Sequence, residues 1–163
     1  DNLPDREVII PEGAVAAVVR MTTTGHGQGN TDNAAEFAVK THTLSVDGVD
    51  HPWTLWRDDC ASNTCGPQGG NWTPNRAGWC PGDGAWPHDL IVSSPLVPGS
   101  TLKVGYGIEE YENCCRPDNP DCDPNDGSCC ISFAGECGWN YTGHTQPHFV
   151  VRGQVIFYGD PCQ

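Results

Sequence analysis

Basic residues are scarce: eight Lys plus Arg stand against 21 Asp plus Glu, for a formal net charge of −13. Binding to phosphate backbones needs a basic face, and none is visible, so nucleic acid is not an expected partner. Acidity of this kind serves solubility, with divalent cations as local partners. Long apolar runs are missing as well, so no segment has the length of a membrane span. The chain does not open on a basic stretch followed by an apolar one, and any leader is expected to have been removed. No convincing helical period, internal repeat, HxH, HExxH or paired CxxC occurs, and Met21 is the one methionine.

What is abundant points elsewhere. Twenty Gly and fourteen Pro in 163 residues disfavour long helices and suit short strands joined by turns. Six Trp, four Tyr and four Phe supply large buried areas, enough for one domain with a proper core. Ten cysteines without zinc-site spacing read as a disulfide framework, which places the protein outside the reducing cytosol, secreted to the extracellular space or the periplasm.

Strand follows strand along the chain: 7–10, 14–25, 36–48, 49–59, 88–94, 100–111, 130–135 and 148–159. In the second, Val15, Ala17, Val19 and Met21 share one face and Val18, Arg20 and Thr22 the other. Asp47-Gly48 is a two-residue turn signal, so 36–59 reads as a hairpin. This count and spacing argue for an antiparallel sandwich. Residues 113–130 hold five cysteines, three prolines and four aspartates and read as a disulfide-knotted insertion.

Several constellations carry chemistry, each beside a plainer reading. Glu36, at a strand entrance after a polar Gly-rich loop with His26, is a candidate acid, base or ligand acceptor, or an ordinary solvated Glu. His42 alternates with Leu44 and Val46, which suits a half-buried core histidine. A bridge between Cys60 and Cys80 would close a loop of about 20 residues and contribute roughly 3 kcal/mol. Arg76, between Pro74 and Trp79, would then be preorganised to pair with a carboxylate or stack on a ring, or would satisfy loop carbonyls. Trp72, Trp79 and Asp59 complete a candidate ligand-binding set. Asp121, Asp123 and Asn125 alternate as in a calcium loop, although Asp126 stands where Gly is wanted. His42, His144 and His148 form a candidate copper set across the sandwich.

TTTGHG, AAEFAVKTHTLSV and GNWTPNRAGWCPG, in that order, resemble the carboxy-terminal half of the peptide:N-glycosidase F family, whose members strip N-glycans from asparagine. The resemblance runs over roughly residues 14–92 and implies a single eight-stranded jelly roll. It also implies kinship in fold with copper-dependent peptidylglycine hydroxylating monooxygenases. By resemblance, Glu36 falls on a functionally important glutamate, Arg76 on the arginine of RAGWCPG, and His26 on the histidine of a GWGH loop. Cys60 and Cys80 fall on a family disulfide. The chain departs from the family at Ala34 and Ala38, which replace a bridged cysteine pair, and at Thr24, which replaces the tryptophan of GWGH. The family enzyme uses two jelly rolls, with an essential aspartate from the first. Against the copper enzymes, the HxH pair becomes Lys40 and His42, and Met21 lies away from the axial-ligand position.

The expectation is a domain that binds a glycan or glycopeptide, or assembles with another protein domain. An amidase completed by a partner domain, or by Asp58 or Asp59, is the alternative. A copper-binding or monooxygenase-like domain is third, and calcium or copper are the candidate cofactors.

Overall fold

A computed structural model describes residues 3–27, 35–110 and 148–160. Within them lie seven β-strands: β1 Leu3–Ile9, β2 Ala14–His26, β3 Lys40–Val46, β4 Val49–Leu55, β5 His88–Ile91, β6 Thr101–Ile108 and β7 His148–Gly159. They form two sheets, ordered β1-β6-β3-β4 and β5-β2-β7. Every pairing is antiparallel. Among the described strands, only β3 and β4 are neighbours both in sequence and in a sheet, and each other pair of successive described strands lies in different sheets. The described part of the chain is an all-β sandwich with no α-helix. The anticipated strand at 130–135 lies outside the described residues, as does the 113–130 insertion.

The core forms where the inward faces meet. Val19 and Met21 come from β2, Leu44 and Val46 from β3, and Leu102 and Tyr106 from β6, closed at one end by Ile10. Fully burying a leucine such as Leu44 or Leu102 contributes about 2–3 kcal/mol each. The alternation read in β2 holds from Ala17 to Met21 and continues through buried Thr23. Val15 instead lies exposed, because a register shift between Ala14 and Ala16 moves it off the core face. Across the sandwich, Trp53 of β4 stacks flat on His88 of β5 at 4.4 Å, tying the two sheets along one edge.

The hairpin turns where Asp47-Gly48 signals it. Val46 pairs with Val49, and both loop residues take positive φ, 49° and 81°, as a tight turn matched to strand twist requires. The first of these strands is shorter than its pattern suggests, starting at Lys40. Residues 35–37 turn instead: Ala35 is held at φ 78°, while the Glu36 backbone bonds Gly27 O on one side and Ala77 N on the other.

Candidate functional site

Three segments converge at the far end of β2. The Gly25 amide donates to Ala77 O (3.0 Å), the Ala77 amide to Glu36 O (2.9 Å), and the Glu36 amide to Gly27 O (3.2 Å). This lacing needs two glycines. A Cβ on Gly25 would lie 1.6 Å from Ala35 O, and one on Gly78, itself at φ 78°, would lie 2.2 Å from Thr23 O. The glycines of TTTGHG and RAGWC are therefore points of backbone contact.

On this frame sit the Glu36 and Arg76 side chains. The Glu36 carboxylate is 3.6 Å from Arg76 Nε and accepts the Gly27 amide through Oε2 at 2.9 Å. Arg76 is 2% exposed, and its guanidinium lies between the rings of Phe37 (5.1 Å) and Trp79 (4.9 Å). An Nη2 proton goes to the Asn71 carbonyl, while Nε makes no hydrogen bond and is matched by the carboxylate as an ion pair. Burial draws the Arg76 pKa down, and Glu36 opposes it. The Glu36 side chain keeps 17% of its surface, so the carboxylate is the member of the pair that a ligand reaches. Arg76 is a positioning group beneath it.

His26 belongs to the same end. Its Nε2 shares a 2.8 Å hydrogen bond with the Thr24 hydroxyl, and its ring lies 5.0 Å from Trp79 and 5.5 Å from His148, its register partner on β7. Thr24 thus fixes the histidine where the resembled family carries tryptophan. Burial lowers the His26 pKa first and the neighbouring His148 adds to this, with Glu36 pulling the other way. Trp79 spends its indole N–H on Gly25 O at 2.7 Å. The sequence candidates Glu36, Arg76, His26 and Trp79 are therefore brought together. Trp72 instead packs on Gly66, where a Cβ would meet its ring at 2.5 Å.

Asp59, proposed from sequence as a ligand contact or second acid, is committed elsewhere. Both of its oxygens accept from Arg57, at 2.7 and 2.8 Å, and these bonds hold its pKa below the usual carboxylate range. Arg57, missed in the sequence, is 4% exposed and organises the whole loop. It exchanges two backbone hydrogen bonds with Arg76, also binds Asp83 (2.8 Å) and Gly84 O (3.3 Å), and lies 3.6 Å over the Trp86 ring. The Cys60–Cys80 bridge is formed and closes the same loop, with Asn63 and Gln68 both donating to Pro81 O. The arginine carried a faint signal, two residues before Asp59 in RDD. Its partnership with Asp83 had none.

The anticipated copper set does not assemble on the residues described. His42 is fully buried between the sheets, its Nδ1 2.6 Å from the Tyr106 hydroxyl and its ring edge-on to Phe149. Strand alternation then sends the preceding residue, His148, to the outer face beside His26. The two imidazoles therefore face opposite sides of the β2-β7 sheet. Lys40, at the other position of the lost HxH, is buried and 3.8 Å from Glu109. His144 and the calcium candidates Asp121, Asp123 and Asn125 lie outside the described residues.

A two-sheet sandwich whose one end is a stapled loop carrying a buried arginine under a half-open glutamate defines the class. Residues 4–132 match the family described as peptide-N-glycosidase F, C terminal, and the chain belongs to that family. It is 30% identical over 115 residues, 66% of its length, to peptide-N(4)-(N-acetyl-beta-D-glucosaminyl)asparagine amidase F of Elizabethkingia miricola, covering 32% of that protein. The fold is that of recombinant peptide:N-glycanase F, at TM-score 0.69 and 22% identity over 95% of this chain and 43% of the other. PNGF-II matches at TM-score 0.58 and 23% identity, over 94% of this chain and 24% of its own. The chain thus spans about a third of the curated relative and under half of these solved structures.

Proposed function

We propose that this domain is a secreted, jelly-roll recognition module that binds glycan or glycopeptide, or docks another protein domain, through the Glu36 end. The observation that carries this reading is the commitment of its charged groups. Glu36 is paired to Arg76, and Asp59, a sequence candidate for a second acid, is taken up by Arg57. A partly exposed carboxylate on a rigid base, with Trp79 and His26 beside it, offers a preorganised acceptor for hydroxyl or amide donors. Hydrolysis would additionally need a group to activate water at hydrogen-bond distance. The similarity to amidases over part of their length supports the class of ligand.

The test is calorimetric titration of the chain with an N-glycopeptide and with the same peptide lacking its glycan. Selective binding of the glycosylated form, weakened about tenfold by Glu36→Gln, is expected. Release of free glycan by the wild-type chain, abolished by Glu36→Gln, would replace recognition with amidase activity.

A further inference from the structure

Beyond the Glu36 end, a second cleft of about 150 Å³ opens where β4 leaves its sheet, walled by Trp53, Trp56, Trp86 and His88 with Arg57 and Thr54 at its edge. Trp86 is 58% exposed yet immobilised, with the Arg57 guanidinium stacked on it at 3.6 Å. Arg57 is itself fixed by Asp59, Asp83 and the Gly84 carbonyl. A large aromatic surface held open to solvent on a buried charged support gives up little side-chain entropy when it is covered.

We infer that this cleft binds a single neutral pyranose ring, an inference that rests on the glycan-recognition reading for its ligand class. The volume is below that of pockets for drug-sized ligands, and a cavity of this size elsewhere accommodates one benzene ring. The walls are mixed. Exposed indole surface, above all on Trp86, suits the C–H face of a sugar, while Thr23, Thr54 and Arg57 add polar lining, with one Arg57 N–H left over from its four hydrogen bonds. A purely apolar ring would leave those edges unmatched. Anions are disfavoured, because Asp59 and Asp83 outnumber the arginine between them.

The experiment is a titration of the full, nitrogen-15-labelled chain with N-acetyl-D-glucosamine, read on the indole N–H signals, with a proline-rich peptide as a parallel arm. Saturable shifts at Trp86, Trp53 and Trp56 are expected. Trp86→Ala should weaken binding about fivefold or more and Trp86→Phe restore most of it, with a cooperative thermal transition confirming that both variants fold. Glu36→Gln should leave this binding intact, which separates it from recognition at the other end. Shifts confined to Trp79, affinity unaffected by Trp86→Ala, a response to the peptide alone, or no response at all would each overturn the proposal.

Discussion

Glu36 and Arg76, forty residues apart, meet twice: carboxylate to Nε at 3.6 Å, and main chain to main chain through the Ala77 amide on Glu36 O. The guanidinium is the more deeply buried partner, so removing either side chain has unequal consequences. Glu36→Gln leaves the arginine with the Asn71 carbonyl and two ring faces, and should cost about 1–3 kcal/mol. Arg76→Met strands a carboxylate that water still reaches, and also empties the slot between Phe37 and Trp79. It should cost about 2–4 kcal/mol, below the full figure for a sealed pair. Urea unfolding of both variants checks the values, and a cost near zero for Arg76→Met would mean that the slot closes without it.

Glu36 also acts on His26. The carboxylate raises the histidine pKa against burial and His148, which both lower it. Glu36→Gln should therefore depress the His26 pKa further below its ordinary value of about 6.5. Proton NMR titration of the imidazole reads this directly. An unchanged or raised value would show that the two groups are not coupled.

These partnerships show where the sequence was informative. Period-two patterning marked β2 because a half-buried strand must alternate, and Asp47-Gly48 marked its hairpin because few residues accept positive φ. The expectation that Glu36 and Arg76 face a common site came from the family resemblance carried by RAGWC and the glutamate segment. The depth of Arg76, the Arg57 network and the His26–His148 stack remained out of sight, since each depends on strand register or on a loop path without a repeating signal. The separation of His42 from His148 has a related cause. Spacing alone does not say that adjacent β7 residues put Phe149 against His42 and His148 on the other face.

Gly25 and Gly78 should be intolerant for geometric reasons. Gly78→Ala brings a Cβ to 2.2 Å from Thr23 O and holds a side chain at φ 78°, so backbone must move. A loss of about 3 kcal/mol or more, or failure to fold, is expected. Gly99→Ala is the matched control: it has the same φ of 78° but open space around it, and should cost only about 1 kcal/mol. Equal losses in thermal unfolding would show that φ, not contact with β2, sets the requirement.

Reducing the Cys60–Cys80 bridge tests how the loop is held. It joins residues 20 apart and frames a segment without strands between β4 and β5. A Cys60→Ala, Cys80→Ala chain should lose about 3 kcal/mol through loop entropy. The Arg57 and Arg76 hydrogen bonds remain to hold the local path, so the sandwich itself should still form. Circular dichroism of the folded variant checks this, with loss of the β signal counting against it.

The acid limb of stability should bear the mark of His42. Burial pushes its pKa down to about 4. The unfolded chain, by contrast, binds that proton near 6.5. Between these values the unfolded state holds more protons than the native one, so stability rises with pH across the window and falls as pH drops through it. The full effect is about 3 kcal/mol, complete below pH 4. Burial lowers His26 and His88 too, in the same direction, so the slope in the wild-type chain belongs to all three. His42→Phe keeps a ring beside Trp53 and Phe149 while removing the titrating group, and Thr23 remains 3.4 Å from the Tyr106 hydroxyl. Urea midpoints measured at pH 7 and pH 5 should therefore lie closer together in this variant than in the wild type. If they stay as far apart as in the wild type, the slope comes from the other groups and His42 is protonated without cost.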